Sequence, residues 1–370
     1  MMRILHSAAM MTPSRGQLTQ MTWEQQAAEN VGLAWDSRFF CPRDSTKPSA
    51  IVQYSDVVSF QDLKSLTQKI RSWFKFRRSY YDWLGCVQDS YDVLLLRYNF
   101  HDPYQLAFVR KAKCPVYFVH HTLEVPELFS SHTLMGMVRG VADSFLGPAT
   151  LRAATGTIGV TDEIARYEYE RTGRACLRTA VFPNGVEYSD DVVLDERQGL
   201  PKLLYVAGTF AVWHGLDLLL SALRESKEEL TLHLIGQLSE HEHRLAARDP
   251  RVRLHGSMPR ESIRKIAALC DIGLSTFALQ RKKMYQACTL KVRDYLTMGL
   301  PVYAGYDDVF PSAFQYYVNG PVSIEAIVKY AKSMRSVSRQ VVADAARPYI
   351  DKGVLMKDLL KSLSTEMTPK

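Results

Sequence analysis

Short apolar runs recur along this chain at intervals that leave room for a helix between most neighbours. In the first half they are Arg3–His6, Ala34–Phe40, Ala50–Gln53, Val93–Arg97, Val116–His120 and Gly156–Val160. In the second they are Lys202–Ala207, Leu232–Ile235, Val252–His255, Ile272–Ser275 and Val302–Ala304. Helical stretches such as Gln17–Val31 and Pro103–Ala112 lie between them. A strand buried on both faces reads as a continuous apolar run, and strands alternating with helices close into parallel sheets. Two such blocks of similar length predict an α/β chain of two Rossmann-like, doubly wound parallel-sheet domains facing a central cleft. The reading places the first domain at 1–186 and the second at 187–344, with C-terminal helices over about 345–370 packing back on the first. The polar segment Glu187–Gly199, with Asp190-Asp191 and Asp195-Glu196-Arg197, reads as the linker.

A chain of 370 residues can bury two separate cores. No apolar run approaches the ~18 residues that a membrane helix needs. The opening Met1-Met2-Arg3-Ile4-Leu5-His6 is too soon broken for a secretory signal, so the expectation is a cytoplasmic protein. Six cysteines with no C-x-x-C pair argue against a disulfide framework and against zinc. His241-Glu242-His243 offers two imidazoles without a nearby third ligand and reads as a solvated helix start. The net charge of +7 calls for an anionic partner. Its densest source is Lys64–Trp83, where Lys69, Arg71, Lys75, Arg77 and Arg78 interleave with Trp73, Phe74, Phe76, Tyr80, Tyr81 and Trp83. Such a helix either lies on an anionic membrane surface or packs its aromatics on its own sheet. No nucleic-acid module is present, which argues against a nucleic-acid partner.

Ligands of open α/β sheets sit beyond the carboxyl ends of the strands. The richest segment there is Arg281-Lys282-Lys283-Met284-Tyr285-Gln286-Ala287-Cys288-Thr289-Leu290-Lys291-Val292-Arg293-Asp294-Tyr295-Leu296. Cys288 or Thr289 caps a helix running through Met298, and Gly299-Leu300-Pro301 ends it. A cation cluster at a helix N-terminus favours an anion, and Asp294, further along, offers a carboxylate to sugar hydroxyls. Phosphate and sugar recognised together describe a nucleotide-sugar site. The plainer reading is a surface helix with a solvated basic lead-in.

These residues resemble the GT-B glycosyltransferases, specifically retaining family 4 and its bacterial polysaccharide-building members. The resemblance spans nearly the whole chain. It rests on Ser14-Arg15-Gly16, His120-His121-Thr122-Leu123-Glu124, Val160-Thr161-Asp162-Glu163-Ile164, Pro183-Asn184-Gly185-Val186, Gly208 with His214-Gly215, and Leu290–Leu296 followed by Gly299-Leu300-Pro301-Val302. It implies a transferase that moves a sugar from a nucleoside-diphosphate sugar to a saccharide or lipid-linked saccharide, with retention and without a metal or cofactor. Such enzymes build cell-surface polysaccharide, peripherally at the inner face of the membrane. The resemblance implies donor binding by Gly208, Thr209, Gly256, Arg281, Gln286, Ala287, Cys288, Thr289, Leu290 and Asp294. It assigns acceptor binding to Gly16, His120 and Glu124, and catalysis to His121; Lys283 and Lys291 are the further catalytic candidates, chosen as cations before and within the first turn of the helix.

The chain departs from the family where two glutamates usually stand: Gln286 and Asp294 occupy those positions. Asp294 keeps the charge, whereas Gln286 keeps only hydrogen-bonding capacity. The interval Thr209–His214 also lacks the family's arginine and lysine, so Arg281, Lys282, Lys283 or Lys291 must supply the charge. Two alternatives follow: a catalytically degenerate GT-B subunit that binds a partner, and a sugar-nucleotide epimerase of similar shape.

Overall fold

The computed structural model describes residues 2–367 apart from 13–14, 44, 46–48, 61–62, 131–132, 174–176 and 189–191. Ser14, Asp190 and Asp191 therefore lie outside the described residues. The chain divides into two units, 1–183 with 352–370, and 184–351.

The first unit runs β1 (Ile4–Ala9), α1 (Arg15–Asn30), β2 (Trp35–Pro42), β3 (Val52–Ser55), α2 (Leu66–Val87), β4 (Val93–Arg97), α3 (Pro103–Val109) and β5 (Val116–His120). It continues with α4 (Glu124–Ser130), α5 (Leu134–Ala153), β6 (Gly156–Gly159), α6 (Asp162–Arg171) and β7 (Arg178–Val181). The strand order is β3-β2-β1-β4-β5-β6-β7, and every pairing among these strands is parallel. The helices start where side chains replace missing backbone partners. Ser65 and Gln68 form a reciprocal capping box at α2, Asp102 caps α3 and Thr161 caps α6.

The second unit runs β8 (Lys202–Thr209), α7 (Leu216–Glu225), β9 (Thr231–Gln237), α8 (Glu240–Ala247), β10 (Val252–Leu254), α9 (Arg260–Leu269) and β11 (Ile272–Leu274). It ends with α10 (Leu290–Thr297), β12 (Val302–Ala304), β13 (Tyr317–Asn319), α11 (Ile324–Met334) and α12 (Arg339–Ile350). Its order is β10-β9-β8-β11-β12-β13, again all parallel. Both sheets therefore reverse winding beside their first strand, between β1 and β4 and between β8 and β11, where crevices for ligands form. Gly236 lets β9 pass close to the end of β8. Its φ is 133°, and an added Cβ would sit 1.7 Å from the Ala207 carbonyl oxygen.

The final helix, α13 (Lys352–Met367), belongs to the first unit. It buries Leu355, Met356, Leu359 and Leu363 in one cluster with Ile4, Trp35, Val93 and Leu95. Lys352 lies 3.6 Å from Glu24, and both are buried. His6, Trp35 and Ser37 also bond that carboxylate. Burial opposes its ionisation, but His6 and Lys352 outweigh that and hold its carboxyl down at about 2.

The boundaries differ from the sequence reading by a few residues. The turn Asn184-Gly185-Val186 belongs to the second unit, where the Val186 amide donates to the Ile350 carbonyl. The segment read as a linker is partly tied down, since Arg197 binds Asp195 and the carbonyls of Met334 and Val337. Strands β7 and β13, both at sheet edges, were not foreseen. Among the described residues no helix is long and apolar enough to cross a membrane.

Candidate functional site

In the second unit the expected donor segment follows β11. A short 3₁₀ turn over Leu279–Lys282 leads to Lys283, which takes a left-handed conformation at φ 57°. That conformation costs a non-glycine residue about 1–2 kcal/mol. The chain then runs extended. Gln286 bridges Asp307, and the Ala287 amide donates to the Asp307 carbonyl at 3.0 Å. Asn184 fastens the next residue. Its amide donates to Cys288 Sγ at 3.0 Å and its Nδ2 to the Cys288 carbonyl at 2.6 Å. Arg293, wholly buried, donates through Nε to the Asn184 carbonyl at 3.1 Å and pairs with Asp308 through both terminal nitrogens. Two motifs of the sequence reading, Pro183–Val186 and Leu290–Leu296, are thus joined in one hydrogen-bonded assembly.

Thr289 is the N-cap of α10, but its side chain makes no capping bond. Its hydroxyl instead meets Tyr306, 3.0 Å away, which also meets Ser275. The first turn of α10 consequently carries backbone amides without a side-chain cap, the arrangement that suits an anion.

Lys291, in that first turn, is the most informative side chain. Its Nζ is buried and has no hydrogen-bond partner among the described residues. It lies 5.4 Å from the centroid of the Tyr205 ring. Burial pushes its pKa down to about 7. His214 is beside it in electrostatic reach. The Ala211 amide donates to His214 Nδ1 at 2.8 Å, which puts the imidazole proton on Nε2. Burial first, then Lys291, drives the His214 pKa down to about 3, so it stays a neutral donor. Lys282 adds a second ammonium 5.3 Å from the Trp213 ring, which stacks on His214. A phosphate here would meet an amine already desolvated, which an anion would hold protonated, and helix amides already oriented.

The other expected residues are placed less directly. Arg281 gives both terminal nitrogens to Asp217, at 2.9 and 2.8 Å, so its charge is already matched. Lys283 is exposed. Asp294 is 30% exposed and accepts from Arg260 of α9 at 2.9 Å. Burial raises its pKa, opposed by Arg260. Gly208 and Thr209 are exposed at the end of β8, and Gly256 is exposed with φ 65°. Trp213 was not marked as a site residue, and Lys282 only as one of four candidates for the positive charge. Their signal was spacing: they flank the glycine loop and the donor segment.

In the first unit, Gly16 lies exposed in the first turn of α1. His120 and Glu124 are buried at the end of β5 and the start of α4, with Nδ1 3.0 Å from the carboxylate. Glu168 of α6 completes the group, 3.7 Å from His120. Arg171 joins Glu168 at 2.7 Å and Asp143 at 2.6 Å, and Tyr98 donates to Asp143 at 2.9 Å. Burial raises the Glu124 and Glu168 carboxyls to about 7 and about 8. Burial lowers His120 to about 4. The ligand atoms of His120, Glu124 and Glu168 lie within 4.8 Å of one another. His121 is half-buried, and burial together with Arg97 holds its pKa well below 6.5.

Known structures share this architecture. The chain is similar over 98% of its length to all of the lipopolysaccharide outer core galactosyltransferase WaaB in its apo form, with TM-score 0.65 and 13% identity. Over 99% of its length it is similar to all of HepE from Anabaena, solved with UDP and glucose, at TM-score 0.61 and 14% identity. Over 98% it is similar to a whole chain of the GtfA/B complex, at TM-score 0.63 and 12% identity. The chain has the GT-B fold. No family model and no curated protein sequence matches it. At such identities the likeness establishes the fold, and what the site does rests on its residues.

Proposed function

We propose that the chain is a glycosyltransferase that takes a sugar from a nucleoside-diphosphate sugar and places it on a saccharide or lipid-linked saccharide. The observation that carries this is Lys291 Nζ, a desolvated ammonium without a hydrogen-bond partner among the described residues, at the uncapped start of α10. Breaking a sugar–phosphate bond leaves negative charge on the diphosphate, and a fixed cation with helix amides stabilises that charge as it forms. Lys282 and the His214 Nε2 proton are placed to share it. The charge is met by the protein's own groups, so turnover should persist in chelator. We infer retention, through attack on the face the leaving phosphate vacates, and a role in cell-surface polysaccharide. WaaB, a galactosyltransferase by name, and HepE with UDP and glucose support the donor class. The cations of α2 and its exposed Leu66, Ile70 and Phe74 support work at an anionic membrane surface.

The test is a thermal-shift screen with UDP, GDP, ADP and dTDP sugars, followed by turnover and product anomer analysis. A donor at 100 times its Kd adds about 2.7 kcal/mol of stability. Asp294→Ala should weaken donor binding about tenfold, since a charge-assisted bond contributes roughly 1.5–3 kcal/mol. Calorimetry showing unchanged affinity removes Asp294 from the ribose. Gln286, in place of a carboxylate, favours a second reading as a binding subunit. Donor binding without turnover of any sugar would select it.

A further inference from the structure

A second cavity lies wholly within the first unit, where its sheet reverses winding. Met11 follows β1 and His101 follows β4, and these are the adjacent strands at the reversal. The space is about 530 Å³, within the range of ligand pockets. Its walls are Leu66, Ile70 and Phe74 from α2 and Met135 and Val138 from α5. These five side chains are 44–64% exposed, an unusual concentration of large apolar groups in contact with water.

The same cavity has a cationic end. Arg77 and Arg139 both line it, and each bears on the other's field as a like charge. Arg77 is partly matched by Asp102, at 3.5 Å. Arg139 rests over the Phe100 ring at 4.8 Å and has no ion pair among the described residues. His101, stacked on Trp73 at 5.5 Å, carries a buried Nδ1 without a hydrogen-bond partner among the described residues. Lys69 stands on the rim. Two adjacent guanidiniums and an unmatched imidazole nitrogen beside an apolar trough complement one kind of molecule.

We propose that this trough binds a single amphiphile, its hydrocarbon chain between α2 and α5 and its phosphate against Arg139 and Arg77. This rests on the transferase reading and gives the acceptor its class: a saccharide carried on a lipid phosphate. The apolar walls account for the chain, and the unpaired Arg139 for the anion. A bare phosphate would leave the walls wet, and a neutral chain would leave Arg139 unmatched.

The test uses calorimetry with octyl, decyl and dodecyl phosphate as monomers, below the concentrations at which they form micelles. Inorganic phosphate and dodecanol are the controls. Each pair of added methylenes should tighten binding about tenfold. Arg139→Met should weaken dodecyl phosphate at least tenfold, Arg139→Lys should restore part of it, and Val138→Trp should abolish the dependence on chain length. The far- and near-UV circular dichroism of each variant checks its folding, and the nucleotide-sugar thermal shift reads the second unit separately. It also separates failure of this site from failure of the donor assignment. Affinity independent of chain length, or unchanged by Arg139→Met, overturns the proposal. Sedimentation with vesicles of anionic phospholipid, without monomer binding, would overturn it too, in favour of plain surface adsorption.

Discussion

Both sheets bury charge at their carboxyl ends, but the two units treat that charge oppositely. In the first, Arg171 pairs with Glu168 and Asp143, and His120 with Glu124, so every cation has a carboxylate, while His120 Nε2, Glu124 Oε2 and Glu168 Oε1 lack a hydrogen-bond partner among the described residues. In the second, Lys291 Nζ has the face of the Tyr205 ring beside it and no hydrogen-bond partner among the described residues. The contrast recurs two residues away, where Arg293 is fully matched by Asp308. A buried ion with its partner holds an element in register, whereas a buried ion without one is costly unless a ligand supplies the counter-charge. The unmatched charge is therefore the better guide to function, although the matched cluster is larger.

The largest expected effect breaks the matched side. Arg171→Met leaves Glu168 and Asp143 buried without their cation and should cost about 3–5 kcal/mol, read as a lower urea midpoint. An unchanged midpoint would show that the cluster is not structural. Next comes Lys291→Met, which should lower turnover 10²–10³-fold, about 2.7–4 kcal/mol of barrier, while leaving stability unchanged or slightly higher. A loss of stability instead would mean that Lys291 is matched after all. It should also abolish proton uptake when a nucleotide sugar binds at pH 8, where the free amine, with a pKa of about 7, is mostly neutral.

The smallest effect is a pH slope. Glu124 and Glu168 are raised on folding, so their stabilisation is complete below about 4.5 and is lost as pH rises through about 7 to 8. His120 is lowered, so its contribution is lost in the other direction, as pH falls from 6.5 towards about 4. Between pH 6.5 and 8.5 Lys291, lowered to about 7, titrates as well, so the carboxyl contribution is read as a difference between variants. Wild type should lose up to about 1.4 kcal/mol per pH unit relative to Glu168→Gln. Parallel curves would show that Glu168 is not raised on folding.

The central strands were legible because their burial is written as unbroken apolar runs. Val93–Arg97 and Val116–His120 are observed as read. Arg178–Val181 and Tyr317–Asn319 were missed because short edge strands carry polar or exposed residues and have no periodicity to detect. The donor segment was visible as cations before a helix. Which of those cations is unmatched was not, because Asp217 lies 64 positions from Arg281 and only folding brings them together. Glu168 and Arg171 were invisible for a related reason: Asp162–Arg171 reads as an ordinary solvated helix until Asp143 and His120 close over it. The trough was half legible, since α2 was marked as basic and aromatic while its partner wall, α5, carried no motif.

Lys352 beneath Glu24 also bears on how the chain is made. The second unit is one continuous stretch, complete when residue 351 has been synthesised. The first unit begins earlier but still lacks the cation for Glu24 and the Leu355–Leu363 face of its core. A nascent chain leaves the ribosome from its N-terminus. Here the part that emerges first is finished last, so its hydrophobic edge beside Ile4 and Trp35 stays open throughout translation. That interval is when the polypeptide is most exposed to mispairing and has most need of a chaperone.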